Sequence, residues 1–183
     1  TILVEYFRGP VGFSFLLSWL YLSFYSCTLR PVLINARSME KFWGLMAAAG
    51  LVTVIVVALW QRRRTTKLDI RIGFVGALLC GLGAVLLYVS NIEEREAAFA
   101  FVGPILSGIG FVFLGFIWKQ ALGNLNDMMI ELSVPLSVFI AVPIYFALFS
   151  LRGTLSMVII ALLPLASSLF AARLINASES TDA

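Results

Sequence analysis

Four side chains near the start of the chain share one face of a helix and carry the groups best suited to bind a small molecule. Ser14, Ser18, Tyr21 and Tyr25 follow one another at intervals of three or four residues, which places them on one side of an α-helix. Their hydroxyl groups donate and accept hydrogen bonds, and phenol rings stack on neutral molecules. This polar-aromatic stripe predicts a binding site for a small neutral or apolar molecule. The alternative is that each hydroxyl bonds to a carbonyl of its own helix.

The chain offers little for catalysis. It has no His, and its Asp and Glu all lie outside six long apolar stretches. General acid–base catalysis and metal-assisted hydrolysis need titratable or metal-ligating side chains in a shielded position. Cys27 and Cys80 have neither a metal-ligand spacing nor further cysteines for a disulfide framework. We therefore expect no enzymatic activity, no metal ion and no cofactor.

Six stretches without any charged residue must position the stripe. A helix needs about 20 apolar residues to cross a hydrocarbon core of about 30 Å, and 61% of the chain is hydrophobic. The sequence predicts an all-α fold, a polytopic membrane bundle of six transmembrane helices. Residues 1–183 form a single transmembrane domain, which we expect to be a fragment of a longer protein. The predicted helices are residues 11–29, 42–60, 72–90, 97–118, 132–150 and 153–172.

A basic loop between the second and third stretches sets the predicted orientation. Lys and Arg are retained on the cytoplasmic side of a membrane, and this loop contains Arg62, Arg63, Arg64 and Lys67. The sequence therefore predicts that both termini lie on the cytoplasmic side of a plasma (inner) membrane. The net charge of +3 lies in loops and tails, so we expect no direct contact with nucleic acid. The loop has two readings, a topology anchor or a contact for anionic lipid or a cytoplasmic domain.

Three tryptophans stand near predicted helix ends. Trp43, Trp60 and Trp118 each lie at or beside the end of an apolar stretch. An indole keeps its ring in the headgroup layer and its N–H in contact with water at such a position. The sequence predicts all three at the membrane interface.

Glycines in the third and fourth stretches predict where helices pack closely. Helices in lipid associate through small residues spaced about four apart. One alternative for these glycines is that their backbone lines a ligand cavity. The predicted packing residues are Gly73, Gly76, Gly81, Gly108 and Gly110.

Two prolines fall in the middle of predicted helices. Pro143 and Pro164 each remove a backbone donor and press on the preceding turn. The sequence predicts a kink at each of them. Such a kink either shapes the bundle permanently or serves as a moving hinge.

The six helices and the basic loop QRRRTTKLDIRIG resemble one half of a major facilitator superfamily protein. The family's loop pattern is G-x-x-x-D-R-x-G-R-R; this chain has the basic residues and a glycine but lacks the leading Gly and Asp in register. The resemblance implies three plus three inverted helices and a second six-helix half outside this chain. It also implies one function, half of a secondary transporter for a small neutral or apolar solute.

A second resemblance is to the membrane sensor region of membrane-embedded LuxR-type transcriptional regulators. It rests on LSGIGFVFLGFIWKQAL at residues 106–122 and LLPLAS at residues 162–167. In that family, two facilitator-like halves precede a cytoplasmic helix-turn-helix module. The resemblance implies a non-catalytic sensor in a bacterial inner membrane that binds a small molecule or responds to the membrane, and passes a change of shape to a cytoplasmic regulator domain. Its DNA-binding module would lie outside this chain.

Overall fold

The computed structural model of the chain describes residues 2–25, 36–63, 69–92, 97–123, 125, 127–149, 151 and 154–179. These residues form six helices and confirm the predicted all-α fold. Of the predicted basic loop, Arg62 and Arg63 are instead in the last turn of α2, because the helix continues past the apolar stretch. Residues 64–68, which include Arg64 and Lys67, lie outside the described residues. The helices are α1 (Ile2–Tyr25), α2 (Ala36–Arg63), α3 (Ile70–Ile92), α4 (Ala97–Gly123), α5 (Asp127–Phe149) and α6 (Thr154–Glu179).

Five of the helices, α2 to α6, are long and apolar enough to cross a membrane. The described side chains of α1 form a shorter apolar stretch, Gly9–Ser23. Large apolar side chains are exposed on the outside of the bundle, among them Phe139 at 76% and Leu155 at 64%. Water-soluble monomers rarely expose apolar surface on this scale. The outer surface therefore matches a hydrocarbon environment.

The helices are longer than the apolar stretches that predict them. The helix α2 begins at Ala36, six residues before the predicted start, and α4 and α6 continue to Gly123 and Glu179. Hydropathy marks where side chains meet hydrocarbon, whereas backbone hydrogen bonding continues into the polar layer until a helix-ending residue intervenes. Gly123 is such a residue, since glycine favours helix ends. The predicted end of the first helix, residue 29, lies outside the described residues.

The centre of the bundle is made by α3, α4 and α6. The helix α4 lies between α2 and α3, while α6 lies between α3 and α1, and α5 packs on α1 at the far side. The helices α2 and α5 are thus the two flanks. The buried core includes Leu16, Trp19 and Leu22 of α1, Leu114 and Ile117 of α4, and Ile160 and Leu163 of α6.

Neighbouring contacts show that successive helices alternate in direction. Along α3 and α4, Gly73 lies against Ile117 and Gly83 against Ser107, so these two helices are antiparallel. Ser18 and Tyr21 of α1 meet Ala141 and Tyr145 of α5 in the same order. The helices α1 and α5 are therefore parallel, as odd-numbered helices of an alternating bundle must be.

The glycines of α3 and α4 lie where backbones approach most closely. A Cβ added at Gly76 would stand 2.8 Å from the Gly110 carbonyl oxygen of α4, and one at Gly81 would stand 2.8 Å from the Ala161 carbonyl oxygen of α6. Gly73 meets Ile117, where the corresponding distance is 2.8 Å. Only glycine permits these approaches, so α3 is held between α4 and α6 by residues on different faces.

Two glycines of α4 serve opposite neighbours. A Cβ at Gly108 would collide with the Met46 carbonyl of α2, and one at Gly110 would collide with the Gly76 carbonyl of α3. Residues two apart point to opposite sides of a helix. The sequence Gly-Ile-Gly at this point therefore lets α4 approach both neighbours closely.

Both predicted kink residues lie inside helices that continue past them. Pro143 is in α5 with its ring exposed, and Pro164 is in α6 with its ring buried. Proline leaves the carbonyl of the preceding turn without its usual donor. Pro143 thus faces the surroundings of the bundle, while Pro164 packs within the core.

A carboxylate caps the start of α3. The Asp69 side chain accepts a hydrogen bond from the Arg71 amide at 3.0 Å, and its carbonyl accepts one from Ile72 at 2.9 Å. Asp is a preferred residue at this position because its oxygen satisfies an amide that has no partner within the helix. The cap explains why α3 begins directly after the basic loop.

Candidate functional site

In the structure, the two serines of the polar-aromatic stripe of α1 are buried and bond to backbone carbonyls, whereas Tyr21 is partly accessible. Ser14 and Ser18 are fully buried. The Ser14 hydroxyl donates to the Val11 carbonyl oxygen of its own helix at 2.6 Å, whereas the Ser18 hydroxyl donates to the Ala141 carbonyl oxygen of α5 at 3.2 Å. Ser18 therefore links α1 to α5, two residues before Pro143.

The aromatic half of the stripe is more accessible. Tyr21 is 41% exposed, and its ring meets Tyr145 of α5 edge-on with the centroids 6.3 Å apart. Tyr145 also contacts Phe146 and Phe149. Tyr25 is the last residue of α1, and its side chain lies outside the described part of the structure. The seam between α1 and α5 thus ends in an aromatic group that a molecule can reach.

Two further polar groups of α1 were not singled out by sequence reasoning. The Trp19 indole nitrogen and the Ser23 hydroxyl are buried, and neither has a hydrogen-bond partner among the described residues. They lie four residues apart, which places them one turn from each other on one side of α1. A buried donor without a partner costs stability. These two groups are therefore suited to bind a water molecule or the carbonyl or hydroxyl oxygen of a ligand.

The position of Trp19 in the sequence could have marked it as a functional residue. Trp43 and Trp60 stand near the ends of α2, whereas Trp19 lies in the middle of an apolar stretch. Its ring stacks on Phe111 of α4 with the centroids 6.4 Å apart. An indole N–H at mid-membrane needs a partner that hydrocarbon cannot supply. That need is the feature that marks the residue.

The expectation that the Trp118 N–H contacts water is wrong. The indole is 1% exposed, and its N–H donates to the Ser167 hydroxyl of α6 at 2.8 Å. Its ring also meets Phe13 of α1 edge-on with the centroids 5.3 Å apart. Because α4 continues to Gly123, Trp118 is more than a turn inside the helix and joins α4 to α6 and α1.

The described acidic and basic side chains lie toward helix ends. Arg62 and Arg71 stand on either side of the basic loop, and Lys119 and Glu131 lie close to the loop between α4 and α5. All four are exposed. Within the described ranges, no three His, Cys, Asp or Glu side chains come together as metal ligands. The contacts described between α1 and α5 are made by the Ser18 hydroxyl and the ring of Tyr21, whereas the Trp19 indole faces Phe111 of α4.

Comparisons with known proteins identify no relative of this chain. A scan against protein-family models finds no match, and neither a search of curated proteins nor a search of solved structures returns one. The functional argument consequently depends on the residues themselves.

Proposed function

We propose that this chain is a non-catalytic sensory half-bundle that binds a small neutral molecule in the membrane. In this proposal it belongs to a membrane-bound LuxR-type transcriptional regulator, whose cytoplasmic DNA-binding module lies outside residues 1–183. The carrying observation is the pair of buried donors, Trp19 Nε1 and Ser23 Oγ, on the helix that also contains the predicted stripe. A ligand oxygen could accept a hydrogen bond from either donor. Between uncharged groups in surroundings of low polarity, such a bond is stronger than in water.

The seam between α1 and α5 supplies a route for a change of shape. Ser18 bonds to Ala141 close to Pro143, and Tyr21 meets Tyr145 one turn further along. A ligand that moves Tyr21 would act on α5 at the turn where proline has weakened the backbone hydrogen bonding. Because α5 begins at Asp127 on the side of the basic loop, such a movement would be transmitted toward the cytoplasm in the proposed orientation.

The inverted-repeat arrangement is part of the proposal. An inverted repeat would exchange α1 with α4, α2 with α5 and α3 with α6. Under this exchange the α1–α5 contact corresponds to α4–α2 and the α1–α6 contact corresponds to α4–α3. The α3–α6 contact corresponds to itself. All of these contacts are present among the described residues, whereas the smaller α4–α6 contact has no comparable counterpart between α1 and α3. Inverted repeats of this kind are typical of facilitator-like halves. The same exchange relates the two flanks, α2 and α5.

This symmetry also favours a second candidate, half of a secondary transporter of the major facilitator type. A transporter would need a second six-helix unit or a second copy to enclose a path for its neutral or apolar solute. Uptake of solute into proteoliposomes, lost when Tyr21→Phe and Tyr25→Phe are combined, would support this candidate. The sensor proposal expects no uptake.

The coding sequence on both sides of residues 1–183 provides the direct test. The sensor proposal expects a helix-turn-helix module on the cytoplasmic side and a second membrane half. A reading frame that ends without a DNA-binding module would rule out the regulator.

A functional test uses the full-length protein and a promoter under its control. We expect Trp19→Phe with Ser23→Ala to change the response of the promoter to ligand, because both donors are removed while the bulk of each side chain is largely retained. The matched control is Ser90→Ala, since the Ser90 hydroxyl donates only to the Leu87 carbonyl oxygen of its own helix. An equal change in both variants would contradict the site.

A further inference from the structure

An apolar groove opens between α2 and α3 at the end of the bundle that carries the basic loop. Its volume is about 250 Å³, and no polar atom contributes to its lining. Val57 is buried against the bundle, whereas Val56, Trp60 and Val75 are about half exposed. The groove is lined by Val56, Val57 and Trp60 of α2, Ile72 and Val75 of α3, and Phe113 of α4.

The packing of the bundle explains the groove. The helices α2 and α3 both pack on α4 and have little contact with each other. Gly108 brings α2 close to one side of α4, and Gly110 brings α3 close to the opposite side. The space between α2 and α3 is therefore left open along the outer surface, with Phe113 between them.

Positive charge is concentrated where the groove ends. Arg62 follows Trp60 by two residues and is exposed, and Arg71 precedes Ile72 with its side chain 91% exposed. The nearest described acidic group is Asp69, whose oxygen stands 3.8 Å from the Arg71 guanidinium. Residues 61–71 contain five basic residues and this one acidic residue. The apolar groove thus ends at a cationic rim, which is formed by Arg62 and Arg71.

We propose that this groove binds an anionic phospholipid of the surrounding leaflet. One acyl chain lies along the apolar lining, and the phosphate group pairs with the guanidinium groups of Arg62 and Arg71. Arginine holds phosphate oxygens through two parallel N–H donors. The Trp60 indole lies at the boundary between chain and headgroup, where amphipathic rings are favoured.

Charge complementarity selects this occupant over a second copy of the chain. A copy seated here with its basic loop at the same membrane surface would bring like charges together, and like-charge contacts are unfavourable. A free phosphate ion would satisfy the arginines but leave the apolar lining empty. A lipid with a neutral headgroup would fill the lining but leave the rim unpaired. An anionic phospholipid satisfies both features.

The test is competitive lipid binding by the full chain, measured by native mass spectrometry. The protein is equilibrated with equal amounts of dioleoyl phosphatidylglycerol and dioleoyl phosphatidylcholine. We expect the first lipid bound to be mainly phosphatidylglycerol. The ratio of bound phosphatidylglycerol to bound phosphatidylcholine should fall about fivefold in Arg62→Gln and again in Arg71→Gln. Val75→Trp, which fills the groove, is expected to lower the occupancy of both lipids.

The matched control is Arg173→Gln, which removes an exposed arginine of α6 at the same end of the bundle. The proposal expects this variant to keep the full preference. An equal loss in Arg173→Gln would overturn the site in favour of a diffuse basic surface. Unchanged occupancy in Val75→Trp, or displacement of the lipid by inorganic phosphate alone, would also overturn it.

A second measurement avoids any effect of these variants on folding. Phosphatidylglycerol with brominated acyl chains should quench the fluorescence of Trp60 more strongly than brominated phosphatidylcholine at the same concentration. The Trp60 signal is the difference between the wild type and Trp60→Phe, a variant of a side chain that is 48% exposed. Equal quenching by the two lipids would contradict the proposal.

Discussion

Among the buried hydroxyl groups that have a hydrogen-bond partner, some bond within their own helix and others bond to another helix. Ser137 and Ser168 donate to carbonyl oxygens of their own helices at 2.6 and 2.9 Å. Ser167 accepts from Trp118 of α4, and Ser18 donates to α5. Only the second kind holds helices together, so neighbouring serines differ in what their removal costs.

We expect Ser167→Ala to lower the free energy of unfolding by about 1 kcal/mol, because it leaves the buried Trp118 N–H without a partner. Ser168→Ala is the control, since its hydroxyl serves only the carbonyl of Leu165. The measurement is the melting temperature of each variant in the same detergent. Equal shifts would show that the Trp118–Ser167 bond adds nothing to stability.

The glycines differ most strongly in how much space a Cβ atom would have. A Cβ at Gly76 would stand 2.7 Å from Phe113 Cβ and 3.1 Å from the Leu114 amide, whereas one at Gly115 would meet no atom within 4 Å. We expect Gly76→Ala to destabilise the bundle by roughly 1–3 kcal/mol, since backbone atoms of α4 must move. Gly115→Ala should be neutral or slightly stabilising because alanine favours helix. Unfolding in mixed micelles measures both, and a stable Gly76→Ala protein would refute the close approach.

At the scale of elements, the position of each helix depends on which small residues face which neighbour. The helix α2 shows this most clearly, because most of its membrane-spanning length is exposed and it packs mainly on α4. It approaches α4 most closely where Gly108 meets the Met46 carbonyl, and one turn further along Gly50 contacts Val112, with 3.6 Å between an added Cβ and Val112 Cγ2. Few side chains hold this helix, so we expect its place to be sensitive to changes at that contact.

A disulfide test can establish this neighbour. Gly50→Cys with Val112→Cys should form an intramolecular bond under mild oxidation in the membrane, since the two side chains would be in contact. Gly50→Cys with Phe139→Cys should not, because Phe139 lies on α5 at the opposite flank. Electrophoretic mobility of the denatured protein distinguishes the products. Bonding of the second pair, and not the first, would contradict the arrangement of helices.

At the scale of the whole molecule, the apolar outer face matches a hydrocarbon environment, and the end with the basic loop carries exposed basic side chains. Apolar side chains such as Leu51 at 62% and Phe146 at 62% exposure lie on the flanking helices. The cationic end has Arg62, Arg71 and Lys119. Since Lys and Arg stay in the cytoplasm, we propose that this end faces the cytosol.

Cysteine labelling of intact cells tests this orientation. With Cys27→Ser as background, Thr65→Cys should react with an impermeant maleimide only after the membrane is opened. Asn35→Cys, between α1 and α2, should react from outside and serves as the control. The native Cys80 is buried, so we expect it to remain unlabelled. Labelling of Thr65→Cys in sealed cells would reverse the proposed orientation.

Much of the fold could be predicted from local sequence. Six helices and their apolar character follow from the stretches without charge, since a backbone in hydrocarbon must satisfy its own hydrogen bonds. The helix ends at Arg63, Gly123 and Glu179 could not be placed, because hydropathy reports the surrounding medium and not the end of backbone bonding. The glycines were visible as packing residues, but their neighbours were not.

The sequence by itself determined that this is a bundle of apolar helices with charge at their ends. Only the tertiary structure decided which side of each helix faces inward: Gly76 meets α4 while Gly81 meets α6, and Trp118 is buried while Trp60 is half exposed. The physical reason is that helices in lipid are apolar on every face. No contrast between polar and apolar sides identifies the interior, so the partner of each residue is chosen by shape and by the few buried donors and acceptors.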